Sequence, residues 1–283
     1  MKIKDYLGKN QEILDKWQKE FESRGGISSK FCWDGLMFKG ELYREEGTNN
    51  WIHDEGKNSI ENKLWNEVKP RILYLTKDQN LRPGDDEVPA WDVRIESYHD
   101  SKSNELATGS KFNRMLVYSL YGLAHTTPEK TVEFDDIDNH KALKFVDKFP
   151  FARINCKKEG GGNSCSNQVL RDAMEEYSTF LEEQINNLDA DIFVCCGSTF
   201  SGYHIDKNNP TLDFLNHHGY HFEYAGDKSI DIYYDKEKNK VAIDSYHLSY
   251  FTGETDKAMY DEIVKYYFEF LKAHPDFLKS IKR

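Results

Sequence analysis

The sequence predicts an α/β domain, a three-layer α/β/α sandwich with a mainly parallel central sheet. Two apolar runs, "ILYL" at 72–75 and "DIFVCCG" at 191–197, stop abruptly and read as buried strands. Between such runs lie segments whose apolar residues recur at helical spacing. Strand and helix alternate along most of the chain, which is the pattern of a sheet covered by helices.

Each element has a local reason. Residues 11–22 place Ile13, Leu14, Trp17 and Phe21 on one helical face, and Arg24-Gly25-Gly26 ends that helix. Residues 27–57 are rich in glycine and aromatics without a period, which predicts loops and short strands. Residues 1–57 are therefore expected to form an N-terminal extension packed on a core domain, 58–283. Ser59 is placed to cap a helix bearing Ile60, Leu64, Trp65 and Val68, and Pro70 lies beyond its end. The strand 72–75 follows. Residues 81–108 read as a long loop, a length that is usually functional or disordered.

Gly109 precedes a helix with Phe112, Met115, Leu116, Ser119 and Leu120 facing inward, then a polar connector at about 126–140. "FARIN", 151–155, is strand-like and runs into the flexible "KKEGGGNSCSN". One long helix is expected over 166–188, and the strand at 191–197 ends in Gly197. "IDIYYDKEKNKVAIDSYH" predicts two strands about a turn at Lys236–Asn239. A last helix, about 255–273, carries Met259, Ile263, Tyr266, Tyr267 and Phe270.

The 283 residues are 38% hydrophobic, enough to bury a sizeable core. No run approaches the roughly 18 apolar residues of a membrane span, and the N-terminus lacks the apolar centre of a signal peptide. A cytoplasmic location is expected. Five cysteines without a C-x-x-C pair read as reduced core thiols. The net charge of −11 argues against a nonspecific nucleic-acid coat, though not against a DNA enzyme with basic groups on one face. His217, His218 and His221 invite a metal, but Gly219 interrupts the helical spacing, and no metal or cofactor is expected.

Sites in open α/β sheets form at the C-terminal ends of strands. Asp78 follows "ILYL", Asn155 closes "FARIN", and His247 follows "VAIDSY". Each has a plainer reading: Asp78 as a turn residue, Asn155 as a strand end, His247 as a hydrogen-bonded core histidine. Lys157 and Lys158 would ordinarily be a solvated face.

Four motifs stand in order over about residues 70–275. "TKDQN" lines up with a G-Q-D-P-Y motif, with Asp78 at the Asp. "ATGSKFNRML" resembles the glycine-started helix after it. "FARINCKKEGGG…FLEEQI…DIFVCCG" resembles a central strand–loop–helix–strand segment. "SYHLSY" resembles an H-P-S motif, with His247 and Ser249 matching and Leu248 in place of Pro. Together these resemble the uracil-DNA glycosylase superfamily, most closely its iron–sulfur branch in the central segment. The cysteines that hold that branch's cluster are missing, and Glu159 stands near where one would be.

The resemblance implies a monofunctional DNA glycosylase that hydrolyses the N-glycosidic bond of a pyrimidine and leaves an abasic site. Asp78 would orient water and stabilise a cationic sugar, and His247 would donate to the base carbonyl. Asn155, Gln79 and Asn80 would meet the base, with Trp91 and Tyr98 as candidate stacking residues. Lys157, Lys158, the backbone at Gly161, and Ser249 would hold phosphates. Asn80 stands where uracil-specific members carry a Tyr that crowds the base, so a 5-substituted pyrimidine is an expected substrate. Some members act against modified phage DNA, so antiviral defence is an expected role. The expected partner is DNA, with no membrane or protein partner, and a monomer is expected. Asn80 and Leu248 favour an alternative, an inactive DNA- or base-binding module of the same fold. The acidic chain favours another, a nucleoside or nucleotide N-glycosidase.

Overall fold

A computed structural model describes residues 3–39, 43–44, 51–52, 59–80, 92–95, 108–162, 164–201, 204–206, 209–226, 231–250 and 255–281. In chain order the elements begin with α1 (Tyr6–Ser23), β1 (Gly35–Leu36), β2 (Tyr43–Arg44), β3 (Trp51–Ile52), α2 (Ile60–Glu67) and β4 (Ile72–Thr76). Next come α3 (Lys111–His125), α4 (Asn139–Val146), β5 (Ala152–Asn155), α5 (Asn167–Glu176) and α6 (Ser178–Leu188). The chain continues through β6 (Ile192–Ser201), β7 (His204–Asp206), α7 (Pro210–His217), β8 (Glu223–Tyr224) and β9 (Ile232–Asp235). It closes with β10 (Lys240–Tyr246), α8 (Asp256–Ala273) and α9 (Phe277–Ser280). The class is mixed α/β. Among the described residues no helix is long and apolar enough to cross a membrane.

Contacts divide the chain into two units. The first is Met1–Arg71, Thr76–Ser97 and Pro150–Asp189; the second is Ile72–Leu75, Tyr98–Phe149 and Ala190–Arg283. Helices α1 and α2 share the first unit. Strand β4 belongs to the second unit through Leu75, while its last residue, Thr76, belongs to the first.

The second unit holds a mixed sheet in the order β4-β6-β10-β9-β8. Strand β6 is central, parallel to β4 (Tyr74 opposite Val194) and to β10 (Ile243 opposite Val194). Beyond β10 the pairing turns antiparallel, so the sheet is less uniformly parallel than expected. The β9–β10 turn falls where the sequence places it. Asn239 takes a left-handed φ of 55°, and its side chain accepts from the Tyr234 hydroxyl at 2.8 Å. Strand β6 runs past Gly197 to Ser201, because its extension pairs with β7. Helix α3 starts at the Ser110 cap and packs on α8, where Gly122 lets the Tyr260 ring approach. Asp138, near the end of the polar connector, caps α4 by accepting from the Lys141 N–H.

The first unit is built on α1, which buries Ile13, Leu14, Trp17 and Phe21. Trp17 stacks on Phe180 of α6, centroids 5.8 Å apart. Ser59 caps α2 as expected, and Asn62 accepts from the backbone of Tyr6. The single helix expected over 166–188 is two, α5 and α6. Between them Tyr177 leaves helical geometry (φ −118°, ψ 28°), and its ring joins Trp17 and Phe21 in one aromatic cluster.

A polar network lies beneath that cluster. Strand β1 pairs antiparallel with β5, Gly35 opposite Arg153. Just before β1, the fully buried Asp34 carboxylate accepts from Lys158 Nζ at 2.6 Å on both oxygens. It also accepts from Gln184 Nε2 at 2.9 Å and from the Asn155 N–H at 2.8 Å. Asn10 of α1 donates to the Asp34 carbonyl at 2.9 Å and accepts from Gln184 at 3.0 Å. Gly35 has a φ of +122°, and a β-carbon there would sit 2.5 Å from the Asn10 amide. Two charges removed from water are tolerated here because each has several partners.

Asp34→Ala would leave the Lys158 ammonium buried and uncompensated. The expected loss of unfolding free energy in urea denaturation is about 3–5 kcal/mol. A loss under about 1 kcal/mol would show that the pair is not a buried one.

Candidate active site

Within the first unit, the chain leaving β4 and the chain leaving β5 run side by side. The N–H of Cys156 donates to Thr76 O and that of Lys157 to Lys77 O, each at 2.9 Å. The Gly161 N–H donates to Gln79 O at 2.9 Å, and Asn80 forms a parallel bridge with Gly161. Residues 76–80 are thereby fixed in backbone as a continuation of the strand.

Asp78 is largely shielded, with its side chain 9% exposed. Lys157 Nζ lies 3.4 Å from Asp78 Oδ2 and donates to the Glu159 carbonyl at 2.5 Å. Burial pushes the Asp78 carboxyl above its usual range, while the Lys157 and Lys77 ammoniums act in the opposite sense. Lys77 is buried, which lowers its pKa, and its Nζ donates to Asn167 Oδ1 at 3.0 Å and to Cys165 O at 3.3 Å. The nearby Cys165 thiol is pushed up to about 11, chiefly by burial and then by Asp78, so it stays neutral. Gly161 backs directly onto the carboxylate: a β-carbon there would lie 2.5 Å from Asp78 Oδ2. Gln79 is 2% exposed, and neither amide atom has a hydrogen-bond partner. Among the described residues it is the one buried amide side chain in that condition. An amide so placed carries a desolvation cost of about 1–3 kcal/mol.

Several of the expected site residues have partners within the protein. Asn155 lies beside this segment, but its amide is engaged by the protein. Its Oδ1 accepts from Thr76 Oγ1 at 2.6 Å and Arg153 Nη2 at 3.4 Å, and its Nδ2 donates to Cys32 Sγ at 3.1 Å. Burial pushes the Cys32 thiol up to about 12, so the partner is a neutral sulfur. Asn155 therefore joins two strand ends rather than presenting an edge. Lys158, expected at a phosphate, is buried on Asp34 with Nζ 4.7 Å above the Trp17 ring. The Gly160 and Gly161 N–H groups donate to Lys30 O and Gln79 O, so neither is free to cradle an anion. Lys157 faces Asp78 rather than the exterior. Trp91 and Tyr98 lie outside the described residues.

His247 and Ser249 belong to the second unit, past the end of β10. His247 lies against the Phe112 ring, centroids 5.6 Å apart. Ser249 turns its hydroxyl (2.8 Å) and its N–H (3.4 Å) toward His247 Nδ1. A backbone N–H can only donate, so Nδ1 accepts and the ring proton sits on Nε2. Ser249 thus orients His247 instead of standing free for phosphate. Three residues earlier, Asp244 accepts from Ser198 Oγ and Asn209 Nδ2, each at 2.6 Å. Burial pushes this carboxyl up to about 6. The sequence reading passed over Asp244 because it lies inside the strand pattern. It passed over Asp34 because residues 27–57 show no period. Among the described residues no three His, Cys, Asp or Glu side chains are gathered to hold a metal ion.

Long-range ¹H–¹⁵N spectra of the His247 ring at pH 8 should show a protonated Nε2 and a lone pair on Nδ1. A proton on Nδ1 would contradict the part given to Ser249. No family model, curated protein or solved structure matches this chain.

Proposed function

We propose that the chain is a monofunctional DNA N-glycosylase with the three-layer fold of the uracil-DNA glycosylase superfamily. Its substrate would be uracil or a 5-substituted pyrimidine in DNA, and its product an abasic site. The observation that carries this reading is Asp78: a shielded carboxylate at a strand end, with its ionisation tuned from both sides. Asp78 takes a proton from water as the water attacks the sugar, and its negative charge offsets the cationic character at that carbon. A base with a raised pKa accepts a proton more readily.

The leaving base gains negative charge at its carbonyl oxygens. His247 keeps the role that the motif resemblance implies, donating through Nε2. Gln79 supports the reading from the other side of the chemistry. Its unpaired donor and acceptor match the donor–acceptor edge of a pyrimidine. With Asn155 engaged internally, Gln79 takes over the reading of that edge. Asn80 is smaller than the Tyr of uracil-specific members, which makes a substituent at the 5-position acceptable. Antiviral defence against phage with modified bases would be the corresponding biological role. The base leaves the stack to reach this site, at a cost of a few kcal/mol.

The test is incubation with DNA containing uracil or 5-substituted pyrimidines, followed by alkaline cleavage and detection of free base. Alkali-labile sites and free base are the expected products. Asp78→Asn should lower the single-turnover rate by about 10²–10⁴ while DNA binding survives. Binding without base release would make the protein a recognition module. Release only from free nucleosides or nucleotides would make it a monomer hydrolase.

A further inference from the structure

Lys157 was expected at the DNA backbone, yet its geometry serves a different purpose. Its Nζ lies between two oxygens of its own unit, the Glu159 carbonyl at 2.5 Å and Asp78 Oδ2 at 3.4 Å. Its side chain is 14% exposed. Its backbone is fixed as well, by the N–H donation to Lys77 O, one residue before Asp78. Beside Lys157 on the same oxygen lies Gly161, where a β-carbon would sit 2.5 Å from Asp78 Oδ2 and 3.3 Å from Lys157 Nζ. The Gly161 backbone is tied to Gln79 O, one residue after Asp78. Both groups against Asp78 Oδ2 therefore come from one short stretch, 157–161, whose backbone is bonded to the residues before and after Asp78.

We propose that Lys157 and Gly161 are the positioning residues of Asp78: Lys157 fixes the orientation of the carboxylate oxygen that faces it, and Gly161 leaves the space that oxygen occupies. This rests on the glycosylase reading for its kinetic consequence, although not for its electrostatic one. The titratable groups facing Asp78 are Lys157, Lys77 and Cys165. Lys77 already has Asn167 Oδ1 and Cys165 O as acceptors, and Cys165 stays neutral. Lys157 is thus the cation whose removal Asp78 would feel most. Loss of a neighbouring positive charge favours the protonated carboxyl, so the Asp78 pKa would rise and its basic form would appear only at higher pH. A phosphate-binding lysine would behave otherwise. Its loss would weaken DNA binding across sequences and reduce the salt dependence by about one charge.

The experiment compares Lys157→Met, Lys157→Arg and Gly161→Ala with the wild type. It uses single-turnover base release against pH, the salt dependence of DNA binding, and ¹³C NMR titration of Asp78 without DNA. In Lys157→Met, the acid limb of the rate profile and the NMR titration should both move to higher pH. The rate on that limb should fall about three- to tenfold further than the rate near neutrality. Lys157→Arg, which keeps the charge, should restore the limb, and the salt dependence should be unchanged in both variants. Gly161→Ala should lower the rate at every pH by displacing the carboxylate. A reduced salt dependence with an unmoved limb would overturn the proposal in favour of a phosphate contact. A borohydride-trapped adduct with abasic DNA that Lys157→Met abolishes would overturn it in favour of a nucleophile. If no DNA substrate is turned over, the NMR titration alone decides. An unmoved titration in Lys157→Met sinks this proposal, whereas a moved one with no base release sinks only the glycosylase reading.

Discussion

The buried ion pair of Asp34 and Lys158 is the constraint around which the first unit is arranged. One carboxylate gathers a lysine from the stretch after β5, a glutamine from α6 and the last N–H of β5, and Asn10 of α1 ties to the same residue's carbonyl. No partner can be dropped cheaply, since a charge removed from water is tolerated only while its hydrogen bonds are complete. The pair sits one residue from Lys157 and three from Gly161. Holding Lys158 inward therefore sets the direction in which its neighbours leave the strand.

From that fixed point the candidate site follows by simple alternation. With Lys158 turned to the interior, Lys157 faces the other way, toward the carboxylate at the end of β4. The glycines that follow read most naturally as a flexible phosphate loop. The Gly160 and Gly161 N–H groups are nevertheless committed to backbone carbonyls, and Gly161 is small because a carboxylate occupies the place of its side chain. The same frame leaves Gln79 with no partner, a cost that is reasonable where a ligand is to supply the missing hydrogen bonds.

Much of this was legible in the sequence, and the exceptions have a common cause. Ser59 as a helix cap, the strand ending before Asp78 and the turn ending in Asn239 all follow from local chemistry, and local chemistry is what a sequence displays. The engagement of Asn155, the inward turn of Lys158 and the break at Tyr177 depend on residues over a hundred positions away or on a distant aromatic cluster. Asp34 could not be singled out, because the segment around it has no period and its partners are scattered from Asn10 to Gln184. Asp78 was legible as a candidate because its position relies on its own strand. What surrounds it was not.

The claim that the Asp34–Lys158 pair pre-orders the Asp78 site is tested most directly by native-state hydrogen exchange in the absence of DNA. In the wild type, the amides of Lys157 and Gly161 should exchange as slowly as the buried amides of α1, through opening of the whole unit. In Asp34→Asn the same two amides should exchange far faster while α1 stays protected. Fast exchange at both positions in the wild type, or protection unchanged in the variant, would contradict the account.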